Sequence, residues 1–189
     1  MLDTYGLALV TAPTAEPVTL DEVKDWVRQD HAADDSLLSG LITAARQLIE
    51  QQTGLVFLPA TYRLVADQFP SWTLRLPRYP LRSVSSIQYV DSTGTLQTLD
   101  SSLYQTDTDS TPGLVEPVYG EVWPTARYQA RAVRVTFEAG YSLAADIPGP
   151  LKQAVKLLVA LGYANRGDLP ATIPEFVNHL ITPYLDGGY

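Results

Sequence analysis

The chain of 189 residues contains no cysteine. The absence of thiols excludes disulfides, thiolate nucleophiles, iron–sulfur clusters and cysteine-ligated zinc, and it is typical of assembly in a reducing cytoplasm. The two histidines, His31 and His179, are far apart in the sequence, so the paired-histidine motif of helical zinc sites is also missing. We therefore expect neither a metal site nor a cofactor.

Long hydrophobic runs and basic charge are scarce as well. No segment reaches the roughly 18 apolar residues of a membrane span, and residues 1–10 lack a basic leader, so we expect no membrane association. The 13 basic residues face 21 acidic ones, and the net charge is -8. Such a charge argues against gripping nucleic acid through its phosphates, although it suits a channel through which DNA slides without sticking. Solubility alone is the simpler explanation of the charge.

Catalytic motifs are missing too. No serine lies in a G-x-S-x-G elbow, and no glycine-rich phosphate loop follows a strand-like segment. Asp107 and Asp109 could in principle do acid–base work, but carboxylates in a segment rich in Ser and Thr are typical of turns. Glu175 and His179 are too few ligands for a metal and are typical of a surface pair on a helix. The sequence therefore predicts a protein that is not an enzyme.

Apolar residues recur at three- and four-residue spacing in two regions of the chain, one near each end. Thr19 and Glu22 fit the capping box at the start of a helix, and Gly54 suits the left-handed residue that ends the following one. Prolines suit the first turn of two later helices, and Pro183 should end the last of them. The four helices are expected over residues 19–30, 34–54, 148–167 and 174–183.

Between residues 56 and 141 apolar and polar residues largely alternate, which predicts strands. Residues 91–94, with the sequence DSTG, favour a tight turn, so segments 83–91 and 95–99 should form a hairpin. The predicted fold class is α+β, an antiparallel bundle of about four helices with an inserted antiparallel β subdomain. Its parts are residues 1–55, the β subdomain 56–145, and the C-terminal helices and tail 146–189.

Two sets of residues are candidates for binding another protein, and an acidic cluster is a third candidate site. Tyr119 and Trp123 form an aromatic pair between turn residues, although they could equally cap the β core. The tail ends in glycines and aromatics that cannot bury themselves locally. An acidic cluster lies between the first two helices, where a solvated loop is the simpler interpretation than a weak cation site. The tail candidates are Tyr184, Leu185 and Tyr189, and the acidic cluster is Asp30, Asp34 and Asp35.

Several short sequence motifs, in one order along the chain, resemble those of the head–tail connector family of tailed bacteriophages. Proteins of this family are also called adaptor or head-completion proteins. The first are PVTLDEVK at 17–24 and DDSLL at 34–38, and later ones include IQYVD at 87–91 and VTFEAGY at 135–141. The others stand at 42–46, 50–54, 75–77, 80–84, 119–120, 123–124, 147–148 and 151–154. The resemblance spans nearly the whole chain.

This resemblance implies a structural subunit of the virion neck, assembled in the host bacterial cytoplasm. Family members form a ring of about twelve copies beneath the portal protein and offer the other face to a stopper or tail-terminator protein. DNA passes through the ring during ejection without specific binding. The tail residues would then contact the portal or a neighbouring subunit, and the acidic cluster would lie at the channel or its rim.

Two alternatives remain open from the sequence. A tail-completion or baseplate adaptor would share the fold but bind tail-tube subunits, and a tail terminator typically forms a ring of about six copies. A carbohydrate hydrolase displayed on the virion would use Asp107 and Asp109 as its paired carboxylates.

Overall fold

The computed structural model describes residues 5–185 of the chain, which divides into two compact units. The strand unit comprises the residues up to Ala12 together with Pro59–Gly140. The helical unit comprises Pro13–Leu58 together with the chain from Tyr141 onward. Helices and antiparallel sheets occur in separate units, which confirms the predicted α+β class.

Four α-helices lie in the described part of the helical unit. They are α1 (Leu20–Val27), α2 (Asp35–Thr53), α3 (Gly149–Ala164) and α4 (Glu175–Ile181). Helix α3 packs against each of the other three, and its apolar face, which includes Leu151 and Leu158, is fully buried. Short 3₁₀ turns precede α3 at Ala144–Asp146 and follow α4 at Thr182–Tyr184. None of these helices has the length and hydrophobicity that crossing a bilayer requires.

The predicted helix caps are present. The Thr19 hydroxyl accepts a 3.1 Å hydrogen bond from the Glu22 N–H, and the Glu22 carboxylate accepts a 2.8 Å bond from the Thr19 N–H. Helix α1 ends at Val27, three residues earlier than predicted, because Arg28 adopts the left-handed conformation with φ 57°. Gly54 ends α2 in the same conformation with φ 81°, as expected for a residue without a Cβ.

A buried ion network joins α2 to the segments on either side of it. Arg46 is only 6% exposed, and its guanidinium lies 2.7 Å from the Glu16 carboxylate and 2.8 Å from that of Glu50. The other oxygen of Glu50 accepts a 3.0 Å hydrogen bond from the Phe57 N–H. Burial by itself lowers the pKa of Arg46, but the hydrogen bond and charge of Glu16 and the charge of Glu50 raise it overall. The guanidinium is therefore charged and compensated inside the unit.

Eight strands lie in the described part of the strand unit. They are β1 (Tyr5–Thr11), β2 (Ala60–Ala66), β3 (Leu74–Arg75), β4 (Leu81–Val90), β5 (Leu96–Thr98), β6 (Tyr104–Asp107), β7 (Leu114–Pro117) and β8 (Val133–Ala139). One antiparallel sheet has the order β1-β2-β8-β4-β5, and a second has the order β3-β7-β6. Alternation on β2 and β8 buries one face of the larger sheet, with Leu64, Val135 and Phe137 essentially inaccessible to solvent.

The predicted hairpin is formed by β4 and β5, with Val90 paired to Leu96. Asp91 organises its turn, because one carboxylate oxygen accepts hydrogen bonds from the N–H groups of Thr93 (2.9 Å) and Thr95 (3.0 Å). The same oxygen accepts a 2.6 Å bond from the Thr93 hydroxyl, and the other oxygen accepts a 2.8 Å bond from Gln97. The bond from the Thr93 hydroxyl, followed by that from Gln97, holds the pKa of Asp91 well below its usual range.

Strand β1 corrects the prediction that residues 1–55 belong with the helices. Leu7 pairs with Leu64 of β2, which places this segment at the edge of the larger sheet. In the other direction, Leu55 and Phe57, which lie at the predicted start of the β region, are buried within the helical unit. The chain passes from one unit to the other at Ala12–Pro13, at Leu58–Pro59 and at Gly140–Tyr141. The predicted boundaries were 55/56 and 145/146.

Candidate interaction surfaces

The C-terminal helix carries apolar side chains on more than one side. Val177 and Ile181 are buried in the helical unit, whereas Phe176 is 53% exposed. Leu180 and Tyr184 follow Phe176 at four-residue intervals and are half-buried. Phe176, Leu180 and Tyr184 therefore form a partly exposed apolar stripe, the C-terminal stripe, which extends the predicted tail site toward the start of α4.

The predicted tail residues lie at the end of that stripe. Tyr184 belongs to the 3₁₀ turn that continues α4, and Leu185 follows it directly. Leu185 is half-buried, and its N–H donates a 3.2 Å hydrogen bond to the Thr182 carbonyl. Tyr189, the third predicted tail residue, lies outside the described residues. Phe176, which the sequence analysis did not select, could have been found from its four-residue spacing to Leu180.

Trp123 and Tyr119, which were predicted as a pair, have different environments. The Trp123 ring stacks on Phe69 with centroids 4.9 Å apart and an interplanar angle of 6°, and Phe69 meets Tyr89 edge-on at 5.8 Å. The Trp123 indole N–H also donates a hydrogen bond to the Trp72 carbonyl. Trp123 therefore packs within the strand unit, as the alternative interpretation held. Tyr119 is fully exposed.

The loop that carries these residues, 118–131, is held by its backbone while it presents large side chains to solvent. The Val118 N–H donates to the Leu103 carbonyl at 3.1 Å, and the Arg127 N–H donates to the Val90 carbonyl at 2.8 Å. The Arg131 N–H donates to the Asp67 carboxylate at 2.8 Å. Exposed on this loop are Tyr119, Val122 and Tyr128. A fixed backbone that exposes aromatic side chains loses little conformational entropy on binding a partner.

Two members of the acidic cluster, Asp34 and Asp35, contact other side chains, and the third, Asp30, is exposed to solvent. Asp34 accepts hydrogen bonds from the Tyr163 hydroxyl at 2.6 Å and the Gln29 amide at 2.9 Å. Asp35 forms a 2.7 Å ion pair with Lys24. Asp30 is exposed and makes no hydrogen bond or ion pair with another described residue. Two of the three acids therefore connect helices, and Asp30 presents an uncompensated charge.

The hydrogen bonds of Asp34 affect its ionisation and that of its partner. The bond from Tyr163, followed by that from Gln29, lowers the pKa of Asp34, because both donors favour the carboxylate form. The same bond to the Asp34 carboxylate raises the pKa of Tyr163. This pair is therefore most stable when Asp34 is ionised and Tyr163 is neutral.

The carboxylate of Asp107, one of the two paired acids, is engaged in a local turn. Asp107 accepts hydrogen bonds from the Asp109 N–H at 2.9 Å, the Ser110 N–H at 3.1 Å and the Ser110 hydroxyl at 2.5 Å. These bonds, with that of the Ser110 hydroxyl the strongest, lower the pKa of Asp107. A general acid in glycoside hydrolysis needs a raised pKa, so Asp107 is a turn former.

Metal-binding geometry is also lacking in the described part of the chain, where no group of three or more His, Asp and Glu side chains converges. Glu175 and His179 form the predicted surface pair on α4, with His179 Nε2 3.9 Å from Glu175 Oε1. His31 lies exposed in the loop between α1 and α2.

Comparison with protein families gives one match, which covers most of the chain. The model of a family described as head completion protein matches residues 16–166. This span runs from Glu16, before α1, to Arg166, just after α3, and so includes most of both units. No curated protein sequence matches the chain significantly.

Solved structures of gene transfer agent (GTA) particles contain similar chains. A chain in the neck of an empty GTA particle computed with C6 symmetry is 26% identical, with a TM-score of 0.81 over 96% of this chain and 95% of that one. A chain in the neck of a native GTA particle computed with C12 symmetry is 28% identical, with a TM-score of 0.73 over 96% and 95%. A chain in the virion of a native particle is 26% identical, with a TM-score of 0.76 over 95% of each chain.

Proposed function

The chain belongs to the head completion protein family, and we propose that it is the structural head–tail connector, or adaptor, of a phage-like particle. About twelve copies form a ring under the portal protein, join the capsid to a stopper or tail-terminator protein, and enclose the channel through which DNA leaves. The work of the protein is mechanical, because permanent interfaces and not a chemical step hold the neck together.

One observation carries this proposal. The similar chain at 28% identity comes from a neck computed with C12 symmetry, and the match covers nearly the full length of both chains. A match of that extent includes both the helical and the strand unit, so the whole subunit and not one shared module is alike. C12 symmetry is compatible with a ring of twelve identical copies, and the C6 symmetry of the other similar neck is contained in it.

The charge of the chain supports a channel that DNA traverses without binding. The net charge of -8 repels phosphates, so DNA passes a surface of this sign without specific contacts. Asp30 is the member of the acidic cluster best suited to the channel or its rim, because Asp34 and Asp35 are engaged with Tyr163 and Lys24. Charge reversal at Asp30 that leaves DNA ejection unchanged would remove this assignment.

The C-terminal stripe is the proposed contact with the portal or the neighbouring subunit. Phe176, Tyr184 and Leu185 present partly exposed apolar surface at the end of the chain, and Tyr189 lies beyond the described residues in the same segment. The aromatic loop of the strand unit, through Tyr119, is a second proposed contact. Aromatic residues at the centre of an interface commonly contribute most of the binding energy.

The test is reconstitution with portal rings from the same particle, followed by native mass measurement and negative-stain imaging. We expect about twelve added copies per portal ring, the order of the C12 symmetry of the similar neck. Binding to tail-tube subunits with about six copies, and none to portals, would replace this proposal with the tail-completion or baseplate alternative.

A matched pair of variants then tests the C-terminal stripe. Tyr184→Ala with Leu185→Ala should lower portal occupancy at least tenfold, because both side chains contribute apolar contact area at the proposed interface. His179→Ala, an exposed change on the same helix, should leave occupancy unchanged. Equal occupancy for both variants would show that the stripe is not a contact surface.

A further inference from the structure

The outer face of the larger sheet carries two exposed arginines, Arg63 and Arg134. Strand register places Arg63 of β2 in one row of this face, flanked by Ala8 of β1 and Thr136 of β8. Arg134 of β8 stands in the adjacent row and is flanked by Val65 of β2 and Gln88 of β4. The two guanidinium side chains are therefore diagonal neighbours on a flat surface, and both are exposed.

These arginines have no compensation within the described residues. Neither forms a hydrogen bond or an ion pair with another described side chain, whereas the nearby Glu138 pairs with Arg82 at 3.2 Å. Each guanidinium therefore has a like charge at the diagonal position and no carboxylate partner among the described residues. Every basic residue of the strand unit is an arginine, and the lysines all lie in the helical unit. Arginine is enriched and lysine depleted at protein interfaces.

Helix α1 carries the complementary charge. Asp21 and Asp25 are exposed, stand four residues apart, and make no side-chain hydrogen bond or ion pair with another described residue. Like charges at this spacing repel, and Asp25 lies in the last turn, where the helix dipole disfavours a carboxylate. Beside Asp25, Trp26 is 45% exposed. Glu22 on the same helix is already paired with Lys156 at 3.7 Å.

We propose that the arginine face of one copy, Arg63 and Arg134, docks on the acidic surface of α1, Asp21 and Asp25, in the next copy of the ring. This inference rests on the proposed ring and specifies which surfaces meet within it. Ring formation by head-to-tail contact needs two different, mutually complementary surfaces on each copy, and this chain carries such a pair. Contact between the two surfaces brings the arginines next to the carboxylates, which offsets the repulsion between like charges within each surface. Trp26 supplies an aromatic anchor beside the ion pairs.

Charge reversal tests the pairing on portal rings, with copies per ring measured by native mass. Arg63→Glu with Arg134→Glu should lower occupancy at least tenfold, and so should Asp21→Arg with Asp25→Arg. Mixing these two variant proteins in equal amounts should restore full rings, because alternating copies pair Glu with Arg at one contact and Arg with Asp at the next. Loss in both variants without restoration in the mixture would overturn the inference.

Two matched controls separate this interface from a general effect of charge. Arg75→Glu changes an exposed arginine on the smaller sheet, and Asp168→Arg changes an exposed acid after α3. Both should assemble as the unaltered protein does, whereas Arg134→Glu and Asp25→Arg alone should each weaken assembly. Equal behaviour of all four single variants would overturn the inference.

Cross-linking distinguishes failure of this interface from failure of the ring itself. Because the chain has no cysteine, Thr136→Cys with Asp21→Cys creates the sole thiols, one on each proposed surface. A short bismaleimide should give a ladder of linked copies in the double variant, on portal rings or in concentrated free protein, and none in either single variant. If the unaltered protein adds no copies to portals, the proposed function fails. Cross-linking of the concentrated free protein then still shows whether the two surfaces meet. No ladder in either setting would overturn the interface.

Discussion

The hydroxyl of Tyr163 on α3 donates a 2.6 Å hydrogen bond to the carboxylate of Asp34, which stands at the start of α2. The Gln29 amide donates to the same carboxylate at 2.9 Å and to the Tyr163 hydroxyl at 2.7 Å. Gln29 and Asp34, five residues apart, thus fix the loop between α1 and α2 against the distant Tyr163 at the end of α3. A residue that the sequence suggested for a channel rim is a helix-connecting residue in the subunit.

Tyr163→Phe should lower the stability of the protein in a pH-dependent way. The pKa of Asp34 is lowered in the folded state, so its contribution is complete above the unfolded pKa of about 3.9 and is lost as pH falls through the folded value. The pKa of Tyr163 is raised, so its contribution is complete below about 10 and is lost as pH rises through the folded value. Urea unfolding should show the largest difference from the unaltered protein between these limits.

Tyr128→Phe is the control for that comparison, because Tyr128 is largely exposed and makes no hydrogen bond with a described residue. Its unfolding curve should match that of the unaltered protein at every pH. A Tyr163→Phe deficit that stays constant from pH 3 to pH 11 would show that lost packing and not the hydrogen bond is responsible.

Arg46→Ala should be among the most damaging single changes in the helical unit. The guanidinium compensates Glu16 and Glu50, and Glu50 in turn accepts the Phe57 N–H. Removing one member of a buried ion pair leaves an uncompensated charge and typically costs about 3–5 kcal/mol. Guanidinium chloride unfolding would measure the loss. The control is Lys156→Ala, whose longer 3.7 Å pair with the half-exposed Glu22 should cost less than about 1 kcal/mol.

Asp91→Ala should weaken the β4–β5 hairpin while the sheet around it persists. The substitution removes the acceptor of four hydrogen bonds within the turn, from Thr93, Thr95 and Gln97. Because the pKa of Asp91 is lowered, the stabilisation it gives is present at neutral pH and is lost in acid as the carboxylate is protonated. Hydrogen exchange at pH 7 should therefore be faster than in the unaltered protein at Thr93 and Thr95, whose N–H groups donate to the Asp91 carboxylate. Unchanged exchange there would show that the strand pairing alone holds the turn.

The local signals in the sequence identified most of the fold, because caps and turns depend on neighbouring residues. Thr19 with Glu22, Gly54, and the hairpin turn at Asp91 all act where their motifs predicted. Strand β1 was missed because it is a short apolar run, and its strand character comes from pairing with β2. Alternation predicted strand character around Leu74, but not the separate three-stranded sheet, because β3 (Leu74–Arg75) pairs with the distant β7.

The candidate surfaces show the same division between local and long-range causes. The four-residue spacing of Phe176 and Leu180 on α4 could have been recognised from the sequence. The stacking of Phe69 on Trp123 joins residues 54 positions apart and follows no local pattern. Arg63 and Arg134 become neighbours through the register of β2 against β8 alone, so the sequence could not show that their charges adjoin.

Substitutions of Trp123 and Tyr119 should distinguish a role in folding from a role in ring assembly. Trp123→Ala removes a stacked, hydrogen-bonded ring and should lower the free energy of unfolding by at most about 3–5 kcal/mol. The loss is smaller than for a fully buried ring because the site is half-exposed. Tyr119→Ala removes a fully exposed ring, so its unfolding free energy should stay within about 0.5 kcal/mol of the unaltered value. If the loop is a contact surface, Tyr119→Ala should nevertheless reduce ring occupancy on portals severalfold.

The two measurements together decide the role of the loop, because each variant changes one property and spares the other. Trp123→Phe is the conservative control, since it keeps a ring against Phe69 but loses the hydrogen bond to the Trp72 carbonyl and part of the ring area. It should recover most of the stability lost in Trp123→Ala. Normal occupancy for Tyr119→Ala would limit the loop to capping the strand unit, and the proposed contacts would then reduce to the C-terminal stripe and the arginine face.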